Sequence, residues 1–323
     1  WKVMGFEGIT GHEKQKGILL TLLRTERMPH AFLFSGPEGI GKKRVVMEFA
    51  KYIFCEHGTA CGICRPCLKV DRGSHPDIFS TTSEESIGIE HSRDINKEVY
   101  EYPYESARRI IIIDNAERMT NEARNALLKT LEEPPSFNTF FLITSSERDI
   151  PLTIKSRCMR LIFSPLYKEQ LKSYFKNNLG LNDEKAELLS CISHGSVGIG
   201  LFWTVEDNFL LRKQIAELLF GRNKSFLKAS VIFEKISKSQ KDTTIYLSFM
   251  LSLYRDVYLL NECGNDSIVI NRDIKGLLAM EKINTATINK SIERIEQTIN
   301  LVRYNINKWL VLENLMLHLM ERQ

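Results

Sequence analysis

Ala31-Phe32-Leu33-Phe34-Ser35-Gly36-Pro37-Glu38-Gly39-Ile40-Gly41-Lys42-Lys43 decides the fold of this chain. A short apolar run stops at Gly36, and from Lys42 a helical pattern continues through Phe54. Strand, glycine-rich turn and helix in that order, carrying G-x-x-x-x-G-K, form the context that a phosphate-binding loop requires. Glycines let backbone N–H groups curl around an oxyanion, the lysine meets its charge, and the helix start adds its dipole. Gly36, Gly39, Gly41, Lys42 and Lys43 are therefore candidate nucleotide-binding residues. The position after Lys42 departs from the pattern. A serine or threonine hydroxyl should bind Mg²⁺ there, and Lys43 cannot ligate a cation. The plain alternative is a glycine-rich turn without a ligand.

Further along, Ile110-Ile111-Ile112-Ile113-Asp114 reads as a strand buried on both faces of a parallel sheet. Asp114 at its end is the acid that would orient Mg²⁺ in such a site. The next residue should be a glutamate that polarises the attacking water. It is Asn115, an amide without useful basicity, and Glu117 lies two positions too far along. Two catalytic roles are thus missing from one site. Strand candidates also lie at Asp77–Ser80, Thr139–Thr144 and Met159–Phe163, with a helix over Asn121–Glu132 that Pro134-Pro135 stops. Alternating apolar strands and helices define an α/β fold with a parallel sheet flanked by helices.

Cys55, Cys61, Cys64 and Cys67 fall within one short loop after the phosphate-loop helix, while Cys158, Cys191 and Cys263 are isolated. Four soft ligands suit the all-cysteine geometry of a structural zinc site, and Gly58 and Gly62 allow tight turns between them. An iron–sulfur run would continue to a downstream Cys-Pro, which is absent. An inert cysteine-rich loop is the other alternative. His57 could stand in as a ligand, although four thiols suffice. Clustered rather than dispersed cysteines favour a reducing cytoplasm over a secreted disulfide framework.

From about Leu166 the strand signal ends. Two short helices are expected over Lys168–Asn178 and Asp183–Ser193, and everything beyond Asp207 is helical in period. Ile288, Ile292, Ile295, Ile299 and Val302 form an apolar stripe, and Ile245–Leu260 should be a buried helix of a bundle. The 323 residues suffice for two or three domains. A hydrophobic content of 43% with 17 Phe, 10 Tyr and 3 Trp excludes a disordered chain, and the longest aliphatic run is far short of a membrane span. A net charge of +4 is too mild to argue for nucleic acid. No export signal is expected from the start of the chain, which opens on Trp1 rather than Met, so native residues are expected to precede it.

Asn125-Ala126-Leu127-Leu128-Lys129-Thr130-Leu131-Glu132-Glu133-Pro134-Pro135 resembles the signature of bacterial clamp-loader subunits, a family of the AAA+ ATPase superfamily. Ser156-Arg157-Cys158, preceded by Ile150-Pro151-Leu152-Thr153-Ile154-Lys155, is similar to the family's SRC motif. His30 to Pro37 resembles the approach to its phosphate loop, and the four cysteines resemble its zinc module. Asn305-Ile306-Asn307 with Leu310, Leu312-Glu313 and Leu315 resembles the end of its collar domain. The resemblance implies an AAA+ phosphate-loop domain over 1–165 with a zinc insertion at 55–67, a helical lid over 166–206 and a helical collar over 207–323. It also implies structural zinc on Cys55, Cys61, Cys64 and Cys67.

Two members of that family share the zinc module: an ATP-hydrolysing motor and a stator. Lys43 and Asn115 are wrong for a motor, and Gly195-Ser196-Val197-Gly198 carries glycine where ATP-binding members have a sensor-2 arginine. A chain that stops soon after the collar, as this sequence does, is expected of a stator rather than of a motor with its long extension. A stator would hydrolyse no ATP itself, with its ATP binding in doubt. It would join motor subunits and a delta subunit in a DNA polymerase III hetero-pentamer that loads a sliding clamp onto primed DNA. The resemblance makes Arg157 an arginine finger reaching a neighbour's γ-phosphate, and gives Ser145-Ser146 the sensor-1 position. Cys158 reads as a small buried filler. The alternatives are an active motor using Lys42 and Asp114, and a zinc-dependent nucleic-acid-binding protein with a vestigial phosphate loop. Tyr100, Tyr102 and Tyr104 suggest an interface or a partly buried loop rather than base stacking.

Overall fold

The five strands expected from the sequence all form. They are β1 (Ala31–Ser35), β2 (Ile78–Thr82), β3 (Arg109–Asp114), β4 (Asn138–Thr144) and β5 (Met159–Ile162). A computed structural model describes residues 6, 8–82, 86–221, 225–263, 268–280, 283–303 and 307–321; Trp1 and the Asn305-Ile306 pair lie outside them. All pairings are parallel and the order is β2-β3-β4-β1-β5. Ser35 pairs with Thr144 and Asp114 with Ile143, so the C-terminal ends of β1, β3 and β4 meet on one edge. Ligands of open α/β sheets bind at that edge, where the strand order switches.

The four isoleucines of β3 show why the sheet is buried on both faces. Side chains alternate along a strand, so Ile110 and Ile112 join Phe32, Phe34, Val45, Phe49 and Phe141 in one core layer. Ile111 and Ile113 join Leu33, Leu127, Leu131, Phe140 and Leu142 in the other. Phe32 and Phe141 stack with ring centroids 4.9 Å apart. Each such buried side chain contributes about 1.5–3 kcal/mol relative to exposure.

Six helices flank this sheet in the first compact unit: α1 (Glu13–Arg24), α2 (Lys42–Phe54), α3 (Arg65–Asp71), α4 (Ile89–Tyr100), α5 (Asn121–Glu132) and α6 (Leu152–Lys155). In α2 the expected stripe buries Val45, Val46, Phe49 and Ala50. The Thr120 hydroxyl caps α5 by accepting from the Ala123 N–H at 3.2 Å. Two helices carry little sequence signal. The inward side of α1 includes Lys16, whose buried ammonium donates to Ile9 O at 2.6 Å, and this interrupts the apolar pattern. In α4 the buried apolar side chains among those described are Ile95 and Val99.

The first unit comprises the chain to Leu171 together with Gly195–Gly198, and the second comprises Lys172–His194 with Ile199 onward. The second is helical, with Asp183–Ile192, Glu206–Phe220, Phe226–Ile236, Gln240–Cys263, Thr285–Arg303 and Lys308–Glu321 as its main helices. Leu247, Met250, Leu253, Tyr254 and Val257 are buried in the long helix, as its composition demanded. The stripe on Thr285–Arg303 is centred slightly differently from the isoleucine count: Ile288, Ile295 and Val302 are buried with Ser291 and Thr298 between them. A buried polar network was not legible beforehand. The Arg212 guanidinium donates to Asp273 at 2.5 Å and to Asn271 Oδ1 at 2.7 Å, and the Asp256 carboxylate accepts from the Asn271 N–H at 2.8 Å. No helix of the described residues is long and apolar enough to cross a membrane.

Candidate functional site

The turn from β1 into α2 needs its glycines. Gly36, Gly39 and Gly41 have φ of 149°, 74° and 101°, outside the usual range of other residues. A Cβ on Gly36 would collide with the carbonyl of Phe163, and one on Gly39 would lie 2.5 Å from Ser196 Oγ. Lys42 opens α2 and is buried. Its ammonium donates to Gly36 O at 2.5 Å and Pro37 O at 2.7 Å, folding back over the loop. Burial pushes Lys42 down to about 8, although the charges of Glu117 and Asp114 pull it upward. The His12 Nε2–H donates to Ile40 O at 2.9 Å and ties α1 to the same loop.

Gly36, Gly39, Gly41, Lys42, Lys43 and Asp114 come together at the C-terminal edge of the sheet. Lys43 reaches across to Asp114, with Nζ 3.4 Å from Oδ2. The cation partner of the strand-end acid is therefore an internal ammonium. Asn115 has a left-handed backbone, φ 58°, and its N–H donates to Asp114 Oδ1 at 3.2 Å.

Glu117, which sequence spacing placed too far from the site, is brought back to it by a single turn of 3-10 helix over Ala116–Arg118. Glu117 Oε1 accepts from Ser145 N–H at 3.0 Å and Ser145 Oγ–H at 2.5 Å. The other oxygen, Oε2, is buried without a hydrogen-bond partner. The expected sensor-1 serine thus holds a carboxylate whose field Lys42 feels. The turn Gly195–Gly198 also joins the loop. Gly198 N–H donates to Gly39 O at 2.8 Å and Ser196 Oγ to Glu38 O at 3.0 Å. A Cβ on Gly198 would lie 2.9 Å from Gly39 Cα, so a long side chain there requires the loop to move.

At the opposite end of α2, Cys55 terminates the helix, Cys64 stands before α3 and Cys67 lies in its first turn. The four thiol sulfurs all lie within 4.8 Å of one another, with Cys64 Sγ 3.9 Å from Cys55 Sγ. A tetrahedral ion with sulfur bonds of about 2.3 Å separates its ligands by about 3.8 Å, so the donor set can hold a metal ion. Burial opposes ionisation of Cys55, but N–H groups of Cys61, His57 and Thr59 outweigh it and bring the thiol down to about 5. His57 contributes its backbone N–H, 3.4 Å from Cys55 Sγ.

Arg157 follows α6. Its guanidinium donates to Glu132 Oε1 at 2.5 Å, to Thr153 O at 2.7 Å and to Ser156 Oγ at 3.3 Å. Burial pushes the Cys158 thiol up to about 12, which suits packing rather than reactivity. Tyr100, Tyr102 and Tyr104 are 65%, 80% and 68% exposed, so they are not the partly buried loop that was one expectation. Tyr102 packs on Phe137 and Tyr104 over Arg109 instead.

A glycine-rich loop at the switch edge of a five-stranded parallel sheet, with a lysine at its helix start and an acid at a neighbouring strand end, is the architecture of a phosphate-loop α/β domain. A solved gamma-subunit-related protein of DNA polymerase III from Thermotoga maritima has the same fold, with a TM-score of 0.52 at 22% identity over 94% of this chain and 99% of that one. The family model described as DNA polymerase III, delta subunit matches residues 11–167. The delta' subunit of Bacillus subtilis DNA polymerase III is 27% identical over 314 residues, which cover 94% of each chain. The tau subunit of the same organism is 29% identical over 280 residues, 79% of this chain and 50% of tau, and Escherichia coli tau is 32% identical over 55% of this chain and 28% of its own length. The match thus spans half or less of these tau proteins. Over these regions the chain is similar to clamp-loader subunits of DNA polymerase III.

Proposed function

We propose that this chain is a delta-prime-type stator of a DNA polymerase III clamp loader, inactive as an ATPase and donating Arg157 in trans to a neighbouring motor subunit. One observation carries the reading: the Lys43 ammonium lies 3.4 Å from the Asp114 carboxylate. In hydrolysing phosphate-loop proteins Mg²⁺ is held between a loop hydroxyl and this acid. Here a fixed positive charge pairs with the acid and no hydroxyl follows Lys42. The near full-length similarity to a delta' subunit supports the same reading. Lys42, with Gly36, Gly39 and Gly41, keeps the shape of a nucleotide loop without its hydrolytic chemistry.

In this reading residues 1–165 form the AAA+ domain, 166–206 the lid and 207–323 the collar through which a hetero-pentamer assembles. Partners are motor subunits and a delta subunit, and through the complex the sliding clamp and primed DNA, in the cytoplasm. Cys55, Cys61, Cys64 and Cys67 would hold zinc, which supplies a four-thiolate cross-link that closes the loop between α2 and α3. Arg157 offsets negative charge developing on the transferred phosphoryl group, a contribution of about 10³–10⁵-fold in comparable enzymes.

The test is ATP hydrolysis by the zinc-loaded chain, alone and with clamp and primed DNA. No turnover above background is expected, and turnover abolished by Lys42→Ala overturns the stator reading. A second reading, an ATP-hydrolysing motor subunit, draws on Glu117. Its unpartnered Oε2 is a carboxylate oxygen near Lys42 that could serve as a base in place of Asn115, and the similarity to tau subunits favours the same reading. Glu117→Gln separates the two, since only a motor loses activity by it.

A further inference from the structure

Arg157 is not a free surface side chain. Its guanidinium is held by three acceptors of its own chain, Glu132 Oε1 at 2.5 Å, Thr153 O at 2.7 Å and Ser156 Oγ at 3.3 Å. The two elements that carry this arrangement share one anchor. Leu131 at the end of α5 and Ile154 in α6 are both buried in the same core layer. Glu132 follows Leu131 directly, and Arg157 N–H donates to Ile154 O at 3.1 Å. The backbones that carry Glu132 and Arg157 are therefore held near each other by packing, and the ion pair joins their side chains. Glu132 lies in the last turn of α5, where the helix dipole disfavours a negative charge, and the guanidinium compensates for it.

We propose that Glu132 is a positioning residue for Arg157: it holds the guanidinium in one orientation before a neighbouring subunit arrives. This rests on the reading of Arg157 as a finger in trans. A guanidinium has five N–H donors in a rigid fork. The bonds to Glu132, Thr153 and Ser156 all use the terminal nitrogens and leave Nε–H and one terminal N–H for an incoming phosphate oxygen. The Arg157 side chain keeps 32% exposure, so those donors are reachable. An arginine constrained in this way loses less rotamer freedom when it meets the phosphate than a freely rotating one.

Exposed ion pairs are worth little on their own, so the effect is modest beside that of the arginine. In the loader reconstituted with its motor subunits, clamp and primed DNA, Glu132→Ala is expected to lower kcat for ATP about three- to fivefold with KM unchanged. Glu132→Gln keeps an acceptor oxygen and stays within about twofold of the parent. In an Arg157→Ala background, Glu132→Ala is expected to add nothing, because its effect runs through the arginine. A rate for Glu132→Ala at or above the parent's overturns the proposal, as does an equal loss in both backgrounds. Arg157→Ala without effect removes the finger reading itself. That outcome is distinct from a large Arg157→Ala loss with Glu132→Ala silent, which removes only the positioning role.

Discussion

Helix α2 carries a candidate site at each end, and the two differ in how their charges are met. At its N-terminus the phosphate loop is closed on itself: Lys42 caps loop carbonyls, Lys43 pairs with Asp114, and Gly198 N–H bonds Gly39 O. At its C-terminus four thiols converge within 4.8 Å, and convergent N–H groups favour a thiolate at Cys55. The first site has internalised its counter-charge, whereas the second gathers four soft donors that could hold a metal ion.

The largest effect is expected at the cysteines. Metal analysis should give about one zinc per chain, and Cys67→Ser or a strong chelator should remove it and unfold the segment between α2 and α3. Structural zinc contributes on the order of 10 kcal/mol in small modules. An iron chromophore, or unchanged hydrogen exchange in the loop after metal removal, breaks this side of the comparison. Next is Arg157→Ala, expected to lower ATP turnover of the assembled loader by about 10³-fold with assembly intact, as judged by size-exclusion chromatography.

Lys43→Thr sharpens the other side. It frees Asp114 and installs the missing hydroxyl, so ADP binding should gain Mg²⁺ dependence of at least about tenfold in affinity by calorimetry. A parent chain already as Mg²⁺-dependent as the variant refutes the internal-cation view. Gly39→Ala, with φ 74° and Ser196 Oγ in the way, should destabilise the first unit by about 1–3 kcal/mol in urea unfolding.

The smallest effect is a pH dependence. Burial holds Lys42 at about 8. Below that pH the folded and unfolded chains are both charged there, and burial of the charge opposes folding in full. Between about 8 and the ordinary lysine range of about 10.4 only the unfolded chain carries it, so the penalty fades as pH rises. Lys42→Met should therefore raise the melting temperature by a few degrees more at about pH 7 than at about pH 9.5. Equal shifts at both would show that Lys42 is not held by burial.

Much of this was legible because it is local. β1, β3, α2 and α5 form with the boundaries that apolar periodicity, Gly36 and Pro134 imply, and the four clustered cysteines do converge in space. The pairing of Glu117 with Ser145 was not legible, because it depends on the left-handed turn at Asn115 and on Ala116–Arg118 coiling back toward Ser145. α1 was missed because Lys16 occupies a buried position through bonds that only a folded neighbour supplies.

The amino-acid sequence alone determined the parallel sheet, the glycine-rich loop, the four-thiol cluster and the helical second half. Each depends on side-chain type at short range, where backbone sterics and burial period leave few choices. Tertiary structure alone decided the partners: Lys43 with Asp114, Glu117 with Ser145, Gly198 with Gly39, Arg157 with Glu132, and Arg212 with Asp273. Those pairings join residues distant in the chain. Charge and hydrogen-bond partners are selected by which strand ends and helix ends the sheet order and the packed cores bring within reach.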